Sequence, residues 1–368
     1  MNSVDDSLRY KMALTQIEGI GEKFGRRLLS EFGDARNIFE ASRKQLLAIE
    51  NLGSKKAEAI KTGPDWKAID KEIDFITKHN IEPLFFTDDN YPKLLKDCND
   101  APLMVFLKGK PCFNQRKNIA IVGTRHNSEY GQRATEELVD GLRHLDVCII
   151  SGLAYGIDII AHKKALQCGL PTIGVVAHGL DRVYPTAHTA AAREMTINGG
   201  LLSEYHSGTN ADRQNFPMRN RIVAGMSDVT IVIETDVKGG AMITAKLAAA
   251  YNRDVGAFPG RTIDAKSNGC NYLIRTKMAD LISNAGDLIE LMNWNTDSEK
   301  RSLQPKLFPD LSSAEMNIVN IIQGNEGVHV DEILLKAGIG SSSLASLLLH
   351  LELQNVVKSL PGKRYAIQ

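Results

Sequence analysis

Between residues 118 and 294 short apolar, β-branched runs alternate with stretches whose apolar positions recur every three or four residues. The runs NIAIVG (Asn118 to Gly123), VCIISG (Val147 to Gly152), TIGVVA (Thr172 to Ala177), LLSEY (Leu201 to Tyr205), DVTIVIE (Asp228 to Glu234) and VGAFPG (Val255 to Gly260) predict strands. Their alternation with helical patterns is that of a parallel sheet with crossover helices. Between the first two runs, Tyr130, Ala134, Leu138, Leu142 and Leu145 fall at helical spacing and predict one buried stripe. The region therefore predicts a doubly wound, Rossmann-like α/β domain, extended at its N-terminal side over residues 81–294.

The flanks have other rhythms. Residues 1–80 read as short helices punctuated by glycine, and two segments within them look alike: IEGIGEKFGRRLL (Ile17 to Leu29) and AIENLGSKKAEAI (Ala48 to Ile60). In each, a glycine-containing turn separates an apolar helix end from a helix rich in Lys or Arg, which resembles a pair of helix-hairpin-helix motifs in a SAM-like domain. Backbone N–H groups freed at such a turn can meet a DNA phosphate, with Lys23, Arg26, Arg27, Lys55 and Lys56 nearby. A small bundle that uses glycine only to turn corners fits the same pattern. From Ile81 to Lys117, four prolines (Pro83, Pro92, Pro102 and Pro111) space short apolar runs into a connector that adds an edge to the next domain. Residues 295–310 form a polar linker containing NTDSEKRSLQPK, and residues 311–368 form a separate unit. Its last helix carries Leu344, Leu347, Leu348 and Leu351 on one face, and two strand-like runs surround a Pro361-Gly362 turn, the order of a winged helix-turn-helix. The expected recognition helix offers Ser341, Ser342, Ser343 and His350 but no Arg or Lys, so a protein-contact role stands beside DNA reading.

A chain of 368 residues with 43% hydrophobic composition supports two or three folded units. Lys plus Arg and Asp plus Glu both number 44, so bulk charge announces no nucleic-acid partner and any such claim rests on local constellations. Five scattered cysteines (Cys98, Cys112, Cys148, Cys168 and Cys270) without a C-x-x-C pair suit reduced thiols, and no metal is implied. The N-terminal residues lack an apolar leader and no uncharged run reaches the length of a membrane span, so the expected location is the cytoplasm.

In an open parallel sheet ligands bind beyond the carboxyl ends of the strands. The first strand ends in Gly123, Thr124 and Arg125; the second in Ser151 and Gly152, followed by Ala154, Gly156 and Asp158; the third in His178 and Gly179, with Tyr184 and Pro185 beyond. The fifth is preceded by FPMRNR, which holds Arg219, Asn220 and Arg221, and followed by Lys238, Gly239, Gly240, Ala241 and Thr244. Glycines let backbone N–H groups approach an anion, helix N-termini favour its charge, and hydroxyls and guanidinium groups complete its shell. Several such corners on one rim suit a run of phosphates. Each has a plainer reading: V-G-T-R as a tight turn, Asp158 as a helix cap, Arg219 and Arg221 as ion-pair formers beside acids such as Asp212, and Tyr155, Tyr184 and Phe216 as packing rather than base-stacking residues.

The order of these pieces resembles the DprA/Smf family of bacterial DNA-processing proteins. The resemblance is carried by V-G-T-R at Val122 to Arg125, S-G-L-A-Y-G-I-D at Ser151 to Asp158 with Ala161-His162 behind it, and G-L-D-R-V-Y-P at Gly179 to Pro185. It continues in F-P-M-R-N-R-I-V-A-G-M-S at Phe216 to Ser227, K-G-G-A-M-I-T-A at Lys238 to Ala245, and F-P-G with N-G-C-N-Y-L-I at Asn268 to Ile274. Departures are His188, Gly239, His206 and the pair Lys277-Met278, which replace an asparagine, a serine, a proline and a Gly-Ala. The resemblance implies single-stranded DNA binding by the Rossmann-like domain, homodimerisation, delivery of the strand to the recombinase RecA in natural transformation, and no catalysis or cofactor. It also implies that Gly123, Thr124, Arg125 and the F-P-x-R-N-R arginines line the phosphate site. A nucleotide phosphoribohydrolase of the LOG type is the alternative, since it shares a related architecture. Its P-G-G-x-G-T-x-x-E pattern is not kept: Lys246 falls where the catalytic glutamate belongs, although Glu204, Glu234 and Asp181 lie near the rim. A dehydrogenase is disfavoured by the absence of a three-glycine turn after the first strand.

Overall fold

Three of the helix starts in the N-terminal region follow side chains that accept from backbone N–H groups. The computed structural model describes residues 3–294, 311–323, 327–354, 356–360 and 362–367. It opens with α1 (Ser3–Thr15), α2 (Glu22–Phe32), α3 (Ala35–Glu40), α4 (Arg43–Leu47), α5 (Gly53–Thr62) and α6 (Trp66–Lys78). Asp34 caps α3, Ser42 and Gln45 form a reciprocal capping box on α4, and the Asp65 carboxylate accepts from the N–H groups of Lys67 and Ala68 at the start of α6. Several of the cations expected at DNA are engaged within the protein. Arg26 donates to the carbonyls of Cys98 and Ala101, both at 2.8 Å, Arg27 pairs with Glu50, and the Lys56 ammonium lies 3.3 Å from the centre of the Phe24 ring. Lys23 and Lys55 remain exposed.

The α/β region continues with β1 (Glu82–Phe85), α7 (Lys93–Lys96), β2 (Met104–Gly109), β3 (Lys117–Val122), α8 (Glu129–Gly141), β4 (Val147–Ser151), α9 (Ile157–Gln167) and β5 (Thr172–Val175). It is completed by α10 (Thr189–Met195), β6 (Gly199–Ser203), α11 (Asn215–Gly225), β7 (Val229–Val232), α12 (Gly240–Ala250), β8 (Asp254–Ala257), α13 (Asn268–Arg275), β9 (Asp280–Leu281) and α14 (Ala285–Leu291). The nine strands form one sheet in the order β1-β2-β6-β5-β4-β3-β7-β8-β9. From β6 to β9 every pairing is parallel, whereas β1 with β2 and β2 with β6 are antiparallel. The proline-spaced connector thus supplies two antiparallel strands, so the sheet is mixed and mostly parallel. Pro83 sits in the outermost of them, where a missing N–H costs no ladder bond.

Each strand expected from an apolar run is present, with shifted ends. Residues 204 and 205 lie outside β6, which begins instead at Gly199, and β8 stops at Ala257 before the Phe-Pro-Gly corner. The stripe on α8 is also shorter than its spacing predicts: Ala134, Leu138 and Leu142 are buried, but Tyr130 is half exposed and its hydroxyl donates to the carbonyl of Pro259 at 2.7 Å.

Helices cover both faces of the sheet. On one, Ile159 of α9 and Ala191, Ala192 and Met195 near α10 join Leu28, Ile60 and Ile76 of the N-terminal helices in a single core. On the other, Ile222 and Val223 of α11 and Ala245 and Ala248 of α12 pack against Ile150, Val175 and Val232. Each such fully buried large aliphatic chain contributes about 1.5–3 kcal/mol relative to exposure. The N-terminal helices and the α/β sheet belong to one compact unit ending at Asn293.

The second unit, from Trp294 onward, contains α15 (Ser313–Ile322), β10 (Val328–His329), α16 (Val330–Ala337), α17 (Ser341–Leu353), β11 (Val357–Leu360) and β12 (Arg364–Ile367). Among the described residues its three helices and a sheet ordered β10-β12-β11 make a winged helix. Leu344, Leu348 and Leu351 are buried with Ile318 and Ile322, while His350 turns outward and contacts Glu315 of α15 at 2.5 Å. The expected linker at residues 295–310 and Pro361 of the wing turn lie outside the described residues. Among the described residues no single helix is long and apolar enough to cross a membrane.

Candidate nucleic-acid interface

Strand β3 has β4 on one side and β7 on the other, so the chain leaves the centre of the sheet in opposite directions. A crevice opens at such a switch point. Here it is a cleft of about 640 Å³. Its walls are the ends of the three strands and their loops (Gly123 to Arg125, then Gly152, Ala154 and Asp158, then Thr235 and Asp236), the start of α12, and the stretch from Ala211 to Val223 that enters α11.

The loops are drawn together by backbone contact. Gly156, the N-cap of α9, has φ +77°, and a Cβ there would lie 2.2 Å from the carbonyl oxygen of Thr124. Only glycine meets both conditions. Ile157 N–H then donates to that carbonyl at 3.2 Å, tying the β4 loop to the β3 loop. Asp158 is buried at the start of α9, and its carboxylate accepts from the N–H groups of Gly152 at 3.1 Å and Ala154 at 3.4 Å. Burial raises its pKa, opposed by the neighbouring Arg219 cation. Asp158 therefore organises the loop before its own helix.

The arginines of the cleft divide sharply. Arg219 is buried beneath the floor, where its Nη1 donates to the carbonyl of Gly152 at 2.6 Å and to that of Val175. A side chain on Gly152 would collide with this guanidinium at 2.3 Å. Desolvation lowers the Arg219 pKa to about 10, so it stays charged at neutral pH. Arg125, in contrast, is exposed on the rim, with its guanidinium carbon 5.1 Å from the centre of the Phe216 ring. Among the described residues it has no carboxylate partner. Phe216 in turn lies 6.1 Å from Tyr184, which is half exposed, so an aromatic pair and a free cation share one wall. Arg213, which the sequence reading passed over because it precedes the FPMRNR block, is exposed on the same lining.

Of the residues picked from the sequence, Gly123, Thr124, Arg125, Gly152, Arg219, Asn220, Gly239, Gly240 and Thr244 come together on the cleft. Four do not line it. Ser151 is buried and its hydroxyl donates to the carbonyl of Ile121 at 2.6 Å, so it fastens β4 to β3. Gly156 shapes the floor from behind, and Lys238 is exposed beyond the lining. Arg221 points elsewhere, donating to the Asp100 carbonyl and pairing with Glu204 and, at 3.0 Å, with Glu22 of α2.

The rim carboxylates considered for hydrolysis are structural. Both Glu234 oxygens accept from Ser128, one of them from its N–H at 2.8 Å, which closes the N-terminus of α8. Glu204 neutralises Arg221, and Asp181 accepts from Gly208 N–H at 3.0 Å and from Arg182. The carboxylates on the cleft are Asp158, already engaged, and Asp236. Lys246 lies exposed on α12. His188 is buried, bonded to the Leu153 carbonyl at 2.9 Å and edge-on to Tyr155, so this departure from the family pattern props the β4 loop.

The sequence profile of the DNA recombination-mediator protein A family matches residues 82–293. A SAM-like helix-hairpin-helix tandem matches residues 11–63, and the DprA winged helix domain matches residues 304–363. Protein Smf of Synechocystis sp. is 30% identical over 393 aligned residues, covering 97% of this chain and 98% of its own. The DNA processing protein DprA of Streptococcus pneumoniae is 39% identical over 202 residues, which cover 55% of this chain and 71% of that protein. Its X-ray structure superposes with a TM-score of 0.66 at 30% identity, covering 77% of this chain and 97% of that one. DNA processing protein A of Helicobacter pylori, whose structure concerns its single-stranded DNA binding mode, gives a TM-score of 0.53 at 32% identity over 58% of this chain and 96% of its own.

Proposed function

Because this chain belongs to the DNA processing protein A family, we propose that it binds single-stranded DNA in the cleft at the ends of β3, β4 and β7 and acts on it without catalysis. The observation that carries this reading is the wall formed by Arg125, Phe216 and Tyr184: an exposed cation without a carboxylate partner among the described residues, set over Phe216, which is itself paired with Tyr184. Phosphate pairs with the guanidinium by charge-assisted hydrogen bonds, and unpaired bases stack on the rings, a combination open to a single strand and closed to the stacked interior of a duplex. Structural employment of Glu204, Glu234 and Asp181 favours binding over hydrolysis by a LOG-type mechanism. The finer reading places the protein in the cytoplasm as a homodimer that protects incoming DNA and loads RecA in natural transformation, and it rests on the family. Mobility shift with a single-stranded oligonucleotide and its duplex tests the first step: tighter binding to the single strand is expected, and equal or tighter duplex binding overturns it. A strict monomer in sedimentation at micromolar concentration removes the dimer, and failure to speed RecA loading onto coated single strands removes the RecA step.

A further inference from the structure

The connection between β2 and β3 folds back over the start of β4 and brings two free cysteines together. Cys112, partly exposed on this connection, and Cys148, buried as the second residue of β4, hold their sulfurs 3.4 Å apart. We propose that Cys112 and Cys148 are a reversible disulfide-forming pair that responds to hydroperoxides.

The pair is held by neighbours on both sides. Asn118, which faces Cys148 across the β3–β4 ladder, donates its side-chain amide to the Phe113 carbonyl at 2.8 Å. Arg116 of the same connection pairs with Asp146, two residues before Cys148. The connection is therefore tied to the start of β4 whether or not the sulfurs are bonded. A disulfide needs an S–S distance of about 2.05 Å, a closing movement of roughly 1.4 Å that a side-chain rotation on a partly exposed connection provides. Chemistry separates the two roles. The sulfur–sulfur contact lowers the pKa of Cys112, aided by the Arg116 cation, while the same contact and burial raise that of Cys148. The accessible sulfur is thus the more readily ionised of the two and the natural nucleophile toward peroxide.

In the first step the Cys112 thiolate attacks the terminal oxygen of the hydroperoxide. An S–O bond forms, the O–O bond breaks, and the leaving oxygen takes a proton to depart as alcohol, or as water from hydrogen peroxide. Cys112 is now a sulfenic acid, oxidised by two electrons. The Cys148 sulfur then attacks the Cys112 sulfur, the S–S bond forms as the S–O bond breaks, and hydroxide leaves with the Cys148 proton as water. Two thiols have been oxidised and one peroxide reduced. Cys148 lies near the start of β4, whereas the cleft lies beyond the end of that strand at Gly152. The cross-link stabilises the sheet without altering the cleft, and the inference stands independently of DNA binding.

Treatment of the full chain with hydrogen peroxide, alkylation and non-reducing peptide mass spectrometry tests it. The expected product is an intramolecular Cys112–Cys148 peptide two hydrogens lighter than its dithiol, reversed by dithiothreitol and accompanied by a Tm rise of a few degrees, as expected for closing a loop in the unfolded chain. Cys112→Ser, on the partly exposed connection, abolishes the cross-link and the Tm rise, and Cys148→Ala leaves a sulfenic acid on Cys112 that a dione probe traps. A disulfide to any other cysteine or between chains, over-oxidation of Cys112 beside an intact Cys148 thiol, or two unreacted thiols overturns the proposal.

Discussion

Replacing Arg125 with alanine separates a ligand group from a structural one. Its guanidinium is exposed, lies 5.1 Å from the centre of the Phe216 ring, and among the described residues neutralises no carboxylate. The folded state therefore loses only an exposed cation–π contact, about 0.5–1 kcal/mol. Part of that loss is offset because Arg125 acts as a like charge on the buried Arg219. Binding loses more. A charged hydrogen-bonding group that meets phosphate contributes about 1.5–3 kcal/mol, so affinity for a single strand falls roughly 10- to 150-fold. The dependence of log affinity on log salt flattens by about 0.7 for one lost phosphate contact on a single strand. Arg125→Lys keeps the charge but not the planar fork, so the salt slope stays and affinity recovers in part. Fluorescence anisotropy with an oligonucleotide across a salt series, beside thermal unfolding, reads both quantities. Unchanged affinity with a sharply lower Tm would refute the reasoning, since Arg125 would then hold the fold and the phosphate site would lie elsewhere.

Phe216→Ala removes a stacking face and no charge, so single-strand affinity falls by about 1–3 kcal/mol with an unaltered salt slope; a flattened slope in the same titration would show that the ring acts by positioning Arg125. Arg219→Ala strands the Gly152 and Val175 carbonyls beneath the cleft, at about 1–3 kcal/mol for each, and a Tm equal to that of the parent protein would contradict the buried geometry. His162 is fully buried, and burial, with Arg219 and His188 nearby, lowers its pKa to about 3. The unfolded chain binds a proton there below about pH 6.5 and the native chain does not, so its contribution is complete above pH 6.5 and is lost as pH falls toward 3, by up to about 1.4 kcal/mol per pH unit. His162→Asn should flatten the Tm–pH profile between pH 7 and 5, and an unchanged profile would exclude His162 as the source.

The central strands were legible because each buries residues on both faces and therefore reads as an unbroken apolar run. Other strands were harder to delimit. β1 and β2 also bury side chains on both faces, but their runs are broken up by prolines, so that stretch read only as a connector adding an edge, and β9 has only two residues, too few for any period. Tyr130 fits the apolar spacing of α8, yet its partner is the Pro259 carbonyl, 129 residues away and invisible to local pattern. The site divides along the same line. Glycines and loop ends follow from strand ends, since the switch point is a property of the topology. Whether a cation serves a ligand or the fold depends on distant groups, as with Arg26 at the carbonyls of Cys98 and Ala101.

The F-P-M-R-N-R block shows how far this ambiguity reduces once the local structure is known. Taken as loop, its two arginines are equivalent candidates for one phosphate site. The block lies within α11, however, and residues two apart on a helix point about 200° apart around its axis. If one arginine faces the cleft floor, the other must face away. Arg219 turns to the Gly152 and Val175 carbonyls, and Arg221 reaches Asp100, Glu204 and the Glu22 carboxylate of α2. One short motif thus props the β4 loop from below and pins the N-terminal helices to the α/β region, and the proposed DNA-binding function then assigns backbone contact to exposed cations on the neighbouring loops, Arg125 and Arg213. A variant pair tests this division: Arg221→Met should loosen the N-terminal helices, seen as faster amide exchange in α2, with single-strand affinity little changed, whereas Arg213→Ala should weaken binding and leave that exchange alone. The reverse pattern would place Arg221 at the DNA.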